Sequence, residues 1–108
     1  MAYGISTSIL SHLPLEQALR RLAAEGIGQI EISTEPPHFT PGAYEPADVR
    51  GWLDELGLNA PVGHALFGIP NFAALDESER SRSVVDVAAS LELLAAIGTG
   101  VAVVHPTG

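Results

Sequence analysis

The spacing of apolar residues along this chain switches repeatedly between every second position and every third or fourth, the periods of a strand and of a helix that face a core. Followed from end to end, the switches predict strand, helix, strand, helix, strand, helix, strand, with no linker or low-complexity segment between them. Strand one is expected over about residues 3–9, where Ile5, Thr7 and Ile9 alternate with Gly4, Ser6 and Ser8. Helix one starts at Pro14, whose missing N–H would go unpaired in a first turn anyway, and carries Leu15, Ala18, Leu19 and Leu22 on one stripe. Gly26 ends it as a residue free to take a left-handed cap. Strand two, residues 29–33, puts Ile30 and Ile32 on one face and turns Glu31 to the other.

Helix two opens at Glu45 and Pro46, carries Val49, Trp52, Leu53 and Leu56, and stops at Gly57. Strand three follows over about 60–66. Helix three begins with a capping-box pattern, Asp76 to Glu79, in which each end satisfies a backbone donor of the other. Its expected buried stripe is Val84, Val87, Ala88, Leu91, Leu94 and Ala95, ending at Gly98. The acidic run 76–79 suits a helix N-terminus through the dipole and needs no ligand. Strand four, 101–104, is a continuous apolar run, as expected of a parallel strand covered on both faces.

Parallel strands joined by helices form an open doubly wound sheet or a closed barrel. The dinucleotide fingerprint is absent: Gly26 and Gly28 are followed by Glu31 where a third glycine is needed, and they precede a strand instead of following one. That disfavours the open nucleotide-binding sheet. A (β/α)8 barrel uses about 31 residues per unit, so 108 residues hold about three and a half units. The expected fold is therefore α/β, a partial TIM barrel of about four parallel strands and three intervening helices over residues 1–108. Four strands alone leave two edges unpaired and the interior open. Either the segment is the front of a longer chain, the reading favoured, or two copies close the ring as a homo-oligomer.

Charge removes whole classes of function. Five basic residues, all arginine, face 13 carboxylates for a net charge of −8, which argues against nucleic acid as the main partner. The chain has no lysine and no cysteine, which excludes a Walker A loop, a Schiff base, a thiol nucleophile, a disulfide and a Cys-ligated zinc. The charge-free stretch 93–104 is 12 residues long, too short to span a bilayer. A cytoplasmic location is expected.

Barrel enzymes place their working groups at the carboxyl ends of strands and in the loops that follow. Glu31 and Ser33 end strand two, His38 lies in the next loop, His64 is late in strand three, Asn71 follows it, and His105 ends strand four. If His64 and His105 both face inward from neighbouring strands about 4.8 Å apart, their imidazoles converge on one divalent cation, although a catalytic site needs a third ligand. Each residue also has a plainer role. The two histidines suit structural hydrogen bonds, Glu31 an interior ion pair with an arginine, and Asn71 the tying of its own loop. His12 and His38 are expected to be solvated in polar, Pro-rich loops, and Trp52 to lie in the core.

Taken in order, Gly-Ile-Gly-Gln-Ile-Glu-Ile (26–32), His64 with Ala65, Pro70-Asn71-Phe72, the helix beginning near Arg80 to Ser83, Ile97-Gly98-Thr99-Gly100 and Val-Val-His-Pro-Thr-Gly (103–108) form a familiar series. The chain resembles the xylose isomerase-like TIM barrels, the sugar phosphate isomerases and epimerases with endonuclease IV-type nucleases as relatives, over the first half of that domain. The resemblance implies that His64 and His105 sit where the nuclease branch places metal-binding histidines and where isomerases keep histidines near substrate. It also matches Glu31 to an acidic residue of the second strand and Asn71 to an Asn after the third, making Glu31, His64, Asn71 and His105 candidate substrate-binding residues. In the isomerase branch the carboxylates and the histidine that hold the catalytic metal would belong to strands five to eight, which this sequence does not contain.

The implied reaction is proton abstraction next to a carbonyl, with a divalent metal ion (Mn, Mg, Co or Zn) as Lewis acid and a sugar or sugar phosphate as substrate. The alternatives are a metal-dependent phosphodiesterase of the endonuclease IV type, which would ordinarily add a basic DNA face, and a non-catalytic half-barrel that dimerises or binds a partner.

Overall fold

The computed structural model describes residues 4–66 and 70–106. Tyr3, at the expected start of strand one, and Thr107 and Gly108, at the end of the last motif, lie outside them. Four strands, β1 (Gly4–Ser6), β2 (Gln29–Ser33), β3 (Asn59–His64) and β4 (Val101–Val103), form one sheet in the order β1-β2-β3-β4. Every neighbouring pair is parallel. Three helices connect them: α1 (Leu15–Ala24), α2 (Pro46–Leu56) and α3 (Glu77–Ala96). The result is the expected partial (β/α)8 barrel. Among the described residues no helix is long and apolar enough to cross a membrane.

The helices cover one face of the sheet and leave the other open. Leu15, Leu19 and Leu22 of α1, Val49 and Leu53 of α2, and Leu94 of α3 are buried together with Ile30 and Ile32 of β2. Period-two alternation then turns Gln29, Glu31 and Ser33 to the opposite, barrel-interior face. Register extends that face across the sheet. Ser6 pairs with Glu31, Glu31 with Val62, Val62 with Val101, and one layer higher Ser33 pairs with His64 and His64 with Val103. Gly63, on the helix side of β3, lies so close to Leu94 that an added Cβ would overlap that side chain.

Three local expectations fail for identifiable reasons. Strand one ends at Ser6 because the Ser6 hydroxyl accepts from the Ser8 amide (3.2 Å) and turns the chain into a 3-10 segment, Thr7–Leu10. Ile9 is therefore 56% exposed instead of alternating into the core.

Helix three has one half of the expected capping box, Asp76 Oδ2 accepting from the Glu79 amide at 3.0 Å, but its buried face carries Ser83, Val87, Ser90 and Leu94. Val84 and Leu91 of the expected stripe are 58% and 39% exposed. The two serines face inward because the loop after β3 needs acceptors: Ser90 Oγ takes the Leu66 amide (3.2 Å) and Ser83 Oγ the Asn71 amide (2.7 Å). A buried donor left unpaired would cost about 1–3 kcal/mol, enough to rotate the helix away from its most apolar face. The last strand, finally, is covered on one face only. Ala102 packs on the core from the helix side, while Val101 and Val103 are exposed on the face the helices leave open. Trp52 is half-buried against the core, its ring edge-on to Tyr44 at 5.7 Å.

Candidate functional site

At the carboxyl ends of the strands, the inner face opens into a cavity of about 420 Å3. Its walls come from two segments: Ser6, Ser8 and Ser11 around the end of β1, and Glu31, Ser33, Glu35 and His38 on β2 and its following loop, with His64 of β3 between the inner face and the rim. No arginine lines it. All five arginines lie on helices. Three of them, Arg20, Arg21 and Arg50, pair with acidic residues of α1, α2 and the turn after α1. Glu31 makes no ion pair among the described residues, so its carboxylate is presented to the cavity instead of being neutralised within the sheet.

The two histidines singled out by position meet. Nε2 of His64 lies 2.9 Å from Nε2 of His105, the rings tilted by 33° with centroids 4.8 Å apart. The other nitrogen of His64, Nδ1, is 3.0 Å from the Ala65 carbonyl. A carbonyl only accepts, so Nδ1 carries the proton and the Nε2 lone pair is aimed at the neighbouring strand. His105 Nε2–H then donates to it. This is the arrangement in which a backbone carbonyl sets the tautomer of a histidine that works through its outer nitrogen.

His64 Nε2 offers a lone pair suited to a divalent cation, and His105 joins it once the proton on its Nε2 moves to Nδ1, so the pair supplies a share of such a site. It is only a share. Among the described residues no three His, Cys, Asp or Glu side chains gather closely enough to hold a metal ion.

Asn71 occupies the loop between β3 and α3, away from the cavity wall. Its Oδ1 accepts from the Ala73 amide at 3.0 Å and so ties down its own turn. That loop is nonetheless joined to the rim, since the Phe72 amide donates to the Pro106 carbonyl (2.9 Å), the residue after His105. His12 is exposed, as expected.

His38 is not solvated: only 1% of it is accessible. Its Nδ1 lies 3.1 Å from Thr7 Oγ1, and its Nε2 is 3.2 Å from the Leu10 carbonyl and 3.1 Å from that of Leu13. The sequence signal that could have found it is the neighbouring Phe39, which is fully buried and carries the adjoining backbone inward. A second cavity, of about 380 Å3, lies at the opposite end of the strands and is lined by Arg50, Asp54, Asn59 and Gly98 among others.

No family model and no curated protein matches the chain. Solved structures do. A D-tagatose 3-epimerase-like protein superposes with a TM-score of 0.82 at 24% identity, over 99% of this chain and 38% of that one. A D-psicose 3-epimerase determined in the presence of D-fructose matches with a TM-score of 0.73 at 16% identity, over 94% of this chain and 36% of that one. A xylose isomerase-like TIM barrel/4-hydroxyphenylpyruvate dioxygenase fusion protein matches with 0.67 at 20% identity, over the whole of this chain and 17% of that one. The chain thus has the fold of part of a xylose isomerase-like TIM barrel, and it spans about two fifths or less of each of these structures.

Proposed function

We propose that this chain forms one side of the active site of a sugar isomerase or epimerase, binding the hydroxyl groups of an uncharged sugar at the carboxyl rim of its strands. The observation that carries the reading is the meeting of His64 and His105 beside a cavity walled by serines and carboxylates. Hydroxyl-rich ligands need dense, mixed donors and acceptors. Ser6, Ser8 and Ser11 supply both, and Glu31 accepts from sugar hydroxyls as a half-buried anion.

The same wall disfavours a phosphorylated sugar or a phosphodiester, since a phosphate would face Glu31 with no arginine among the lining residues. That narrows the sugar phosphate expectation and weighs against the nuclease alternative. The likeness to epimerases in fold supports the general kind of reaction.

The chemistry is proton transfer at the carbon beside a carbonyl. A divalent cation, when bound, would polarise the substrate oxygens as a Lewis acid, and this chain's ligands to it would be His64 and His105. Without such a cation, His64 Nε2 is positioned to accept a hydrogen bond from a sugar hydroxyl, and His105 to exchange its donor from His64 to a sugar oxygen. None of the carboxylates here is assigned the abstraction itself.

The test is a panel of ketohexoses and aldoses with manganese, magnesium, cobalt or zinc, scored for interconversion by the gene product. Turnover of an unphosphorylated sugar, lost in His64→Ala, is the expected result. Turnover of sugar phosphates alone would overturn the substrate class, and no turnover of any sugar would remove the reading.

A further inference from the structure

All three groups hydrogen-bonded to the His38 ring belong to the segment that carries the other wall of the cavity. Leu10 and Leu13 lie in the segment between β1 and α1, and Thr7 begins it, whereas His38 stands between β2 and α2. The directions of the bonds follow from the chemistry of the partners. Two carbonyls face Nε2, so Nε2 carries the ring proton. Nδ1 of the neutral ring is then an acceptor, and the Thr7 hydroxyl donates to it. That hydroxyl in turn accepts from the Ser33 amide at 3.0 Å. The path from the Ser33 amide through Thr7 and His38 to the two carbonyls runs in one direction, and Thr7 is as inaccessible as the histidine, 0% exposed.

We infer that His38, acting through Thr7, is a positioning residue that sets the spacing between the two walls of the sugar cavity. This rests on the reading of that rim as a sugar site. Core packing reaches this segment through Leu10, whereas Ser8 and Ile9 beside the brace are exposed. Besides the brace, the serine wall is joined to the rest through the short β1–β2 pairing, Gly4 to Ser6, and through Ile5 and Leu10 packed against the core. Small displacements of binding groups matter disproportionately to a ligand held by several hydrogen bonds at once.

Thr7→Val and Thr7→Ser separate the hydroxyl from the volume it fills. The first keeps the shape and removes both the acceptor for Ser33 and the donor to His38; the second keeps the hydroxyl. With D-fructose as the probe, titrated while the amide spectrum of the full chain is recorded, Thr7→Val is expected to weaken binding by about fivefold, the size of one net hydrogen bond. Thr7→Ser should remain close to the parent. Equal affinity in the valine variant would overturn the inference.

Long-range proton–nitrogen spectra of the unsubstituted protein give a readout that needs neither sugar nor a stable variant. They should show His38 as the Nε2-protonated tautomer, and an Nδ1-protonated ring would overturn the relay. If the parent does not respond to any sugar, the sugar reading fails. The brace is then judged by the Ser8 and Glu35 amide signals, which it requires to move in Thr7→Val and not in Thr7→Ser.

Discussion

The two ends of the sheet carry cavities of similar size, about 420 Å3 at the carboxyl rim and about 380 Å3 at the amino end, yet their polar groups are used differently. At the amino end they close the structure on itself. Arg50 Nη1 donates to the Ile97 carbonyl (3.0 Å) and so caps the end of α3, and Thr99 Oγ1 donates to the Ala60 carbonyl (2.8 Å) at the start of β3. At the carboxyl rim Ser6 and Ser8 bond each other and Ser33 Oγ accepts from the Glu35 amide, while Glu31 makes no ion pair among the described residues and the two imidazoles address each other across neighbouring strands. Volume does not distinguish a binding site from a packing defect; the engagement of the lining groups does. In barrels the carboxyl face serves chemistry and the amino face stability, and the proposed sugar site lies at the carboxyl face.

Substitutions can break or sharpen that contrast. The largest effect belongs to the layer both ends share. Gly63→Ala forces a methyl into the buried Leu94 side chain and should cost about 1–3 kcal/mol in urea unfolding, lowering both ends together. Gly98→Ala acts at the amino end only. Its φ of +84° is left-handed, and a Cβ there would sit 2.9 Å from Arg50 Nη1, so a loss of about 1–2 kcal/mol is expected by the same measurement. Arg50→Ala removes the carbonyl cap of a half-exposed side chain and should lower stability by about 0.5–1 kcal/mol with the sugar response intact.

At the other end the pattern inverts. His64→Ala should change unfolding by no more than about 0.5 kcal/mol while abolishing the response to sugar. A large loss of stability in that variant would make the histidine pair structural and erase the distinction between the ends.

The smallest effect is expected at Arg20, whose guanidinium is held above its ordinary value by the Glu55 hydrogen bond first and the Glu16 bond second. A raised basic group stabilises the fold below its unfolded value and loses that contribution only as pH rises through the folded one. Both lie beyond the working range of the protein, so Arg20→Ala should leave the shape of the stability–pH profile unchanged in thermal melts between pH 5 and 9.

The fold was legible in the sequence where one period dominates. Leu15, Ala18, Leu19 and Leu22 mark the buried stripe of α1, and Ile30 and Ile32 mark the helix side of β2, because packing is the main demand on those residues. It was less legible where a hydrogen-bond demand overrode hydrophobicity. Ser83 and Ser90 displaced Val84 and Leu91 from the buried face of α3 to satisfy loop amides that no periodicity reveals. The rim was half legible. Alternation turned Glu31 inward, and position at strand ends singled out His64 and His105, whose rings meet at 2.9 Å. His38 was missed, because its burial depends on Thr7, Leu10 and Leu13, whose approach is a property of the folded loop and not of the Pro-rich segment around it.

The account depends on the carboxyl rim being the end that meets a sugar. Residue-resolved amide spectra of the chain titrated with D-fructose test this directly, since both cavities are sampled in one experiment. Shifts confined to Ser6, Ser8, Glu31, Ser33 and His64 are predicted, with Arg50, Asn59 and Gly98 silent. Shifts centred on Arg50, Asn59 and Gly98, or none at either end, would contradict it.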